Sequence, residues 1–226
     1  SEAQTREIID EQLRQVGWEA DSVNMSYAKG ARPEKGRNMA IAEWPTDSKR
    51  GESGGRADYA LFIGEKMVGL IEAKRLHKDV STVLDFQAKD YATNIKKEHK
   101  MYCKDTYKEF YVPFIFATNG RGYIEQFKTK SGIWFQDVRD IRNAPKALKG
   151  WISPSGLEDL MEKNIGEANK KLEEEDYIKL QDSNGLGLRK YQIEAIKATE
   201  EAIVSGKDKV LLAMATGTGK TRTALG

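Results

Sequence analysis

Two apolar segments joined by a very short connection constrain the fold of this chain most. Residues 57–63 (ADYALFI) and 66–73 (KMVGLIEA) each have the length and composition of a strand, with aromatic and branched side chains. Only Gly-Glu separates them, so we expect an antiparallel hairpin. If the turn takes in three residues, paired positions add up to 130 and Asp58 lies directly opposite Glu72. A two-residue turn shifts this register by one residue.

The rest of the pattern predicts a mixed α/β fold. Apolar residues recur at helical spacing in several segments, and short apolar runs lie between turn signals. We expect a mixed central sheet flanked by helices, followed by the opening of a second α/β domain. The predicted helices are 5–16, 79–103, 156–180 and 189–204, and the further predicted strands are 39–44, 112–118, 123–127 and 210–214. Proline, glycine and charge patterns divide the chain into a first domain at 1–150, a helical linker at 151–186 and a second domain at 187–226.

Composition excludes several classes of protein. Hydrophobic residues make up 39% of the chain, which is enough for a buried core and rules out a wholly disordered protein. No apolar run is long enough to cross a bilayer, and the polar N-terminus has no secretory leader, so we expect a cytoplasmic protein. The 37 basic residues nearly balance the 35 acidic ones, so any nucleic-acid surface must be local.

Three charged side chains gather at the open end of the predicted hairpin. Asp58 and Glu72 lie across from each other, and Lys74 shares the face of Glu72 because side chains alternate along a strand. Two carboxylates this close repel unless a cation lies between them, and hard oxygen ligands suit Mg²⁺ or Mn²⁺. A metal ion that activates water, with an ammonium group beside it, supplies what hydrolysis of a phosphodiester needs.

A chance occurrence of this spacing is the alternative. Glu-x-Lys arises about once in a chain of this size at average composition. Glu98 and Lys100 have the same spacing within a charged segment, which we interpret as a solvated helix face. Glu72 differs because it ends an apolar strand.

A second cluster follows the apolar run at 210–214. Its glycines allow backbone N–H groups to close around phosphate oxygens, Lys220 is positioned to reach the β- and γ-phosphates, and Thr221 to bind Mg²⁺. A glycine-rich turn that binds no nucleotide is the alternative. The predicted nucleotide-binding residues here are Thr216, Gly217, Thr218, Gly219, Lys220 and Thr221.

The first cluster resembles the PD-(D/E)xK motif of nucleases. The resemblance implies a restriction-endonuclease-like fold in which Asp58, Glu72 and the carbonyl of Ala73 hold the metal and Lys74 activates water. Gln87-Ala-Lys-Asp-Tyr91 is similar to the Q-x-x-x-Y motif of RecB-like nucleases, and Glu7 to their acidic residue in the first helix. These matches imply that Gln87, Tyr91 and Glu7 support the site or contact DNA. From the residues alone, an ordinary hydrogen bond in the core explains Gln87 and Tyr91 equally well.

The second cluster resembles the start of a superfamily 2 helicase motor with a RecA-like fold. Arg189-Lys-Tyr-Gln192 is similar to the glutamine motif of these motors, which implies that Gln192 contacts adenine. Acidic and arginine motifs of such motors do not occur here, so we expect the chain to be the N-terminal piece of a longer protein. ATP is therefore expected as a cofactor of the longer protein.

A nuclease ahead of a superfamily 2 motor resembles the N-terminus of type I restriction enzyme R subunits, and Thr118-Asn-Gly120 fits the same family. The resemblance implies a site-specific deoxyribonuclease that cleaves double-stranded DNA and is coupled to ATP-driven translocation. It also implies the modification and specificity subunits as partners.

A basic segment at 29–56 is the candidate surface for the DNA backbone, with seven basic and four acidic residues. A merely solvated loop is the alternative. Its candidate contacts are Arg32, Lys35, Arg37, Lys49, Arg50 and Arg56.

Three other functions remain open from the sequence. A type III-like helicase–nuclease fusion would share both motifs, although we expect its nuclease behind the motor. A nuclease fold kept only for DNA binding, or an ATP-binding protein with a structural first domain, would lack metal-dependent cleavage.

Overall fold

The chain was analysed as a computed structural model that describes residues 2–48, 55–80, 84–140, 142–163, 177–183, 185–205, 207 and 209–225. It divides into two compact units, one of residues 1–141 with 145–163 and one of residues 142–144 with 164–226. No helix in the described part of the chain has the length and apolar character needed to span a bilayer.

A mixed sheet forms the centre of the first unit, as the sequence predicted. Seven described strands lie side by side in chain order, with β1 parallel to β2, β4 parallel to β5, and the other neighbours antiparallel. The strands are β1 (Glu19–Ala20), β2 (Asn38–Pro45), β3 (Arg56–Ile63), β4 (Lys66–Ala73), β5 (Phe114–Thr118), β6 (Ile133–Asp137) and β7 (Lys146–Ala147).

Helices cover the sheet and form the second unit. In the first unit they are α1 (Glu2–Gln15), a π-helical turn (Leu84–Ala88) that leads into α2 (Lys89–Thr93), and α3 (Pro154–Glu162). Short 3₁₀ turns lie at Tyr27–Lys29, Lys97–Tyr102 and Lys128–Lys130. The second unit contains α4 (Ile178–Gln181), α5 (Lys190–Val204) and α6 (Lys220–Leu225).

Two hydrophobic clusters, one on each side of the sheet, hold the first unit together. On one side, Ile9 and Leu13 of α1 and Leu157 of α3 pack against alternate strand residues such as Phe116. On the other side, Leu84 and its neighbours in the 80–95 segment pack against the residues between them, such as Ile115. Strand β4 is buried along nearly its whole length because both faces are covered, which accounts for its continuous apolar run.

Two of the predicted helices differ from the structure. The one predicted at 79–103 is interrupted, because Asn94 caps α2 through its backbone N–H and side chain, and Ile95 then pairs with Thr46 as a β-bridge. The 3₁₀ turn at Lys97–Tyr102 follows as a separate element, and residues 81–83 lie outside the described residues. Of the helix predicted at 156–180, α3 and α4 are present, and residues 164–176 lie outside the described residues.

Two predicted strands were wrong. The partner of β5 is β6, where Ile133 pairs with Thr118. Segment 123–127 forms no strand, and most of it is exposed. Residues 210–214 form no strand, because a strand needs a hydrogen-bonded neighbour and the described residues of the second unit supply none. The predictions for 5–16, 39–44, the hairpin, 112–118 and 189–204 were confirmed as α1, β2, β3–β4, β5 and α5.

Helix α3 supplies core residues to the first unit, so shortening one of its buried side chains should destabilise that unit. We expect Leu157→Ala to lower the free energy of unfolding by about 2–5 kcal/mol, because Leu157 is fully buried and the change leaves a cavity. Urea unfolding followed by tryptophan fluorescence measures this effect. Glu158→Ala, at an exposed position of the same helix, is the matched control, and equal stabilities of the two variants would contradict the assignment.

Candidate active site

The β3–β4 hairpin brings Asp58 beside Glu72. Its turn is one residue shorter than assumed, and a bulge in β4 cancels the resulting shift in register. The turn has only two residues, since Ile63 pairs with Lys66. Strand β4 then carries one extra residue between Met67 and Gly69, and this bulge moves the pairing by one. Beyond it Tyr59 pairs with Ile71, and positions again add up to 130. Continued by one residue, this register sets Asp58 opposite Glu72, although the turn is shorter than assumed.

Asp58 is held in place by two donors from different elements. Its Oδ2 accepts a hydrogen bond from the backbone N–H of Ala73 at 2.7 Å, which ties it directly to β4. Its Oδ1 accepts a hydrogen bond from the guanidinium of Arg6 in α1 at 3.0 Å. The carboxylate therefore has one oxygen fixed to the sheet and the other facing a positive charge.

Glu72 is a buried carboxylate that is only partly compensated. Its Oε1 accepts from the ammonium of Lys74 at 2.5 Å. Its Oε2 is buried and receives no hydrogen bond from the described residues. Burial, and after it the nearby charge of Asp58, raises the pKa of Glu72 to about 7 despite the opposing effect of Lys74. A buried carboxylate oxygen without a hydrogen-bond donor lowers the stability of a folded protein unless a further cation lies beside it.

A cavity of about 330 Å³ opens in front of these groups. Lys74 is anchored at its mouth, because its backbone N–H continues the β4–β5 pairing by donating to the carbonyl of Thr118 at 2.7 Å. Two carboxylates and four cationic side chains share its walls, which are formed by Thr5, Arg6, Asp58, Glu72, Ala73, Lys74, Arg75 and Lys78.

These residues fit a hard divalent cation. The described residues contain no group of three or more His, Cys, Asp or Glu side chains that could enclose a metal. Mg²⁺ needs no such enclosure, since it keeps several waters and commonly binds through one or two carboxylates. The orphaned Oε2 of Glu72 and the repulsion between the two carboxylates are both relieved by a cation at this place.

Arg6 is a residue of the site that the sequence analysis missed. Besides Asp58 it binds Glu43 at 3.2 Å, and Glu43 has φ of 54°, a left-handed conformation that is rare for a residue with a side chain. Helical spacing sets Arg6 three residues before the buried Ile9, on the face of α1 that packs against the sheet. That spacing was the available signal.

Glu7, Gln87 and Tyr91 are not brought to the cavity. Glu7 is exposed, because it lies off the buried face of α1. Tyr91 is buried in the core beside Leu84, and Gln87 is half-buried within the π-helical turn. A π-turn has more residues per turn than an α-helix, so the expected i, i+4 alignment of the two side chains does not hold there.

Three of the five basic residues that the structure describes in segment 29–56 are engaged in internal contacts. Arg32 stacks on the ring of Tyr27 at 3.6 Å and donates to backbone carbonyls. Arg37 forms ion pairs with Glu19 and Glu34, and Arg56 lies 3.6 Å from Glu43. Lys35 is exposed, and Lys49 and Arg50 lie outside the described residues.

The phosphate loop of the second unit has the backbone that its glycines predict. Gly217 and Gly219 have φ of 80° and 77°, and α6 begins directly after them at Lys220. The side chains of Lys220 and Thr221 are exposed. Thr216 and Thr218 complete the loop, and the Thr218 hydroxyl donates to the carbonyl of Ala215 at 2.6 Å.

Gln192 supports this loop from within. Its Oε1 accepts from the backbone N–H of Arg189, and its Nε2 donates to Thr223 Oγ1 at 3.1 Å and to the carbonyl of Gly219 at 3.2 Å. A Cβ atom at Gly219 would come within 2.8 Å of Gln192 Nε2. Gln192 is buried against the loop, so the structure places its amide on the loop backbone and not on an exposed surface.

Two family profiles match this chain, one over most of the first unit and one over the end of the second. The family profile "Type I restriction enzyme EcoKI endonuclease subunit second domain" matches residues 19–161. The chain belongs to the family of type I restriction enzyme endonuclease subunits. A second profile, "Type III restriction enzyme, res subunit", matches residues 185–226. This segment contains the phosphate loop of the chain.

Two relatives in Escherichia coli carry the same family name. The chain is 43% identical over its full length to the type I restriction enzyme EcoKI endonuclease subunit of strain K12, and covers 21% of that protein. It is 37% identical over half its length to the EcoAI endonuclease subunit, and covers 13% of it. The chain therefore spans about a fifth or less of these relatives. No solved structure matches it. The predicted resemblance to type I enzymes is confirmed, and the full-length match favours it over the type III arrangement.

The raised pKa of Glu72 predicts that this residue destabilises the metal-free protein at alkaline pH. The unfolded carboxyl titrates near 4.5 and the folded one near 7, so the folded state binds the extra proton between these values and stability falls as the pH rises through them. Glu72→Gln removes this loss. In EDTA we expect it to be more stable than the parent chain by on the order of 2 kcal/mol at pH 8, with the difference shrinking toward pH 5.

Thermal or urea unfolding across pH measures the effect. Glu65→Gln, in the exposed hairpin turn, is the matched control. A pH-independent difference between Glu72→Gln and the parent chain would contradict the assignment.

Proposed function

We propose that the first unit is a Mg²⁺-dependent endonuclease domain that hydrolyses phosphodiester bonds in double-stranded DNA. The observation that carries the proposal is the pair of half-buried Asp58 and buried Glu72, with the orphaned Oε2 of Glu72 and the ammonium of Lys74 in the same cavity. Membership of the type I endonuclease-subunit family supports the same chemistry. The activity is that of a type I site-specific deoxyribonuclease.

Each residue has a defined part in this proposal. Asp58, Glu72 and the backbone carbonyl of Ala73 would hold Mg²⁺ or Mn²⁺. When bound, the ion would polarise the phosphoryl group and lower the pKa of a water molecule. The N–H of Ala73 keeps Asp58 aligned. Glu72 holds the ammonium of Lys74 at the cavity, where its charge stabilises negative charge that develops on a phosphate oxygen.

Separate effects on metal binding and on cleavage test this assignment. Asp58→Ala should abolish Mn²⁺ binding measured by calorimetry, because one of the two carboxylates is lost. Lys74→Ala should keep Mn²⁺ binding but lower DNA cleavage by the assembled restriction enzyme at least about 100-fold, since charge stabilisation is lost. The first change tests the metal site and the second the chemistry.

The other Glu-x-Lys segment of the chain supplies the control. Glu98 is exposed, and Glu98→Ala should leave both Mn²⁺ binding and cleavage unchanged. Cleavage by Lys74→Ala at the rate of the parent enzyme would contradict the proposed role of Lys74. Retained Mn²⁺ binding together with no cleavage by the parent enzyme would point instead to a DNA-binding module.

We further propose that the second unit begins an ATP-driven translocase motor coupled to the nuclease. Support comes from the positive φ angles of Gly217 and Gly219, the exposed Lys220 and Thr221, and the match to the res subunit profile. The loop would hold the phosphates of ATP, with Gln192 bracing its backbone. The modification and specificity subunits are the proposed partners, since type I restriction enzyme endonuclease subunits work within a complex.

Lys220→Ala tests the nucleotide site. In the full-length subunit it should lower the rate of ATP hydrolysis at least about 100-fold, because the cation facing the phosphates is lost. Lys209→Ala, an exposed lysine of the preceding segment, should hydrolyse ATP normally. Mn²⁺ binding at Asp58 should be the same in both variants, and unchanged ATP hydrolysis in Lys220→Ala would refute the nucleotide site.

A further inference from the structure

Two loops form a surface of positive charge beside the candidate active site. We name it the cationic rim, which consists of Arg75, Lys78, Arg121 and Lys130. The loop after β4 carries the first two residues and the loop after β5 the other two. Because β4 and β5 are parallel neighbours, both loops leave the same edge of the sheet, which is where sheets of this kind bind ligands.

Hydrogen bonds between the loops hold the rim in place. Arg121 Nε donates to the carbonyl of Leu76 at 2.5 Å. Asn119 Nδ2 donates to the carbonyl of Lys78 at 2.6 Å. The backbone of the first loop is therefore braced on both sides of His77, and its cations project from a fixed support.

The rim has more positive charge than its own acidic residue can neutralise. Asp79 is the acidic residue of the 74–79 loop, and it pairs with Lys130 at 2.7 Å and Arg121 at 3.5 Å. Arg75 and Lys78 are exposed, and within the described part of the chain neither pairs with a carboxylate. Two cations are therefore available to an external anion.

The same two cations also line the cavity that contains the carboxylate pair. Lys74 and Arg6, the other cations in its wall, are paired with Glu72 and Asp58, so Arg75 and Lys78 add positive charge that the cavity's own carboxylates do not pair with. A bound phosphodiester chain carries one negative charge per nucleotide, so the phosphates next to a bond in the cavity need cations just outside it. The rim supplies cations at that place, whereas Arg32, Arg37 and Arg56 already have partners within the protein.

We propose that the cationic rim binds the sugar–phosphate backbone of DNA next to the bond that is cut, with Arg75 and Lys78 in direct contact with phosphates. Such contacts position the duplex but do not read its base sequence. The inference rests on the proposed endonuclease function, and it replaces segment 29–56 as the main backbone contact.

Charge reversal at matched sites tests the proposal. Arg75→Glu/Lys78→Glu is compared with Lys97→Glu/Lys104→Glu, which reverses two exposed lysines assigned to neither candidate site. Binding of a fluorescein-labelled duplex of random sequence is measured by anisotropy in EDTA, so that neither cleavage nor the metal site contributes. The rim variant should bind roughly tenfold more weakly or worse, and its slope of log K against log salt should fall by about two. The control variant should bind like the parent chain.

Equal weakening in both double variants would overturn the proposal, because net charge alone would then explain it. Weakening in the control alone, or no duplex binding by the parent chain, would overturn it as well. Arg75→Gln/Lys78→Gln removes the same two contacts without adding negative charge, so its slope should fall by about two as well, with a smaller loss of affinity than in the Glu variant. Thermal melts establish that each variant is folded. Failure of the parent chain to bind Mn²⁺ would refute the proposed function but leave the rim result intact.

Discussion

The carboxylate pair of Asp58 and Glu72 is the constraint on which the rest of the first unit depends. Burial of Glu72, and after it the like charge of Asp58 nearby, raises the pKa of Glu72, so keeping both carboxylates ionised has a free-energy cost in the folded protein. The protein offsets it with groups from three elements: Arg6 from α1, the N–H of Ala73 in β4, and Lys74 beyond the end of β4. Each of these elements must be held rigidly for the pair to be tolerated.

The packing around the pair provides that rigidity. Tyr59, next to Asp58 in β3, donates its hydroxyl hydrogen bond to Asp10 of α1 at 2.9 Å. Asp10 in turn accepts from both the backbone and the hydroxyl of Ser22. Because Arg6 lies one turn before Asp10, this buried network sets the distance from Arg6 to Asp58. The hydrogen bond between Tyr59 and Asp10 therefore helps to position the guanidinium of Arg6 beside Asp58.

The sequence allowed much of this site to be predicted, because the information is local. The hairpin and its carboxylates follow from two apolar runs and a short connection, and the register was right only because the bulge in β4 compensated for a turn shorter than assumed. Arg6 was not predicted, because the resemblance to RecB-like nucleases implies an acidic residue in the first helix, although the spacing of Arg6 from Ile9 is visible in the sequence. The interruption at Asn94 could not be predicted, since it depends on the pairing of Ile95 with Thr46, almost fifty residues earlier in the chain. Likewise, residues 210–214 have the composition of a strand, but a strand also needs neighbours that composition does not specify.

The opposite charges of the cavity explain why acidic and basic residues must occur together at this place. A surface of cations alone would bind a phosphate backbone without cutting it, and a pair of carboxylates alone would repel it. Here the carboxylates lie at the buried base, where Asp58 Oδ1 already faces a guanidinium and Glu72 Oε2 has no donor. The cations lie nearer the solvent, with Arg75 and Lys78 exposed. Two exposed cations therefore lie beside the half-buried Asp58 and the buried Glu72, so that an approaching phosphate meets positive groups first and reaches the carboxylates only where a divalent cation can lie between them.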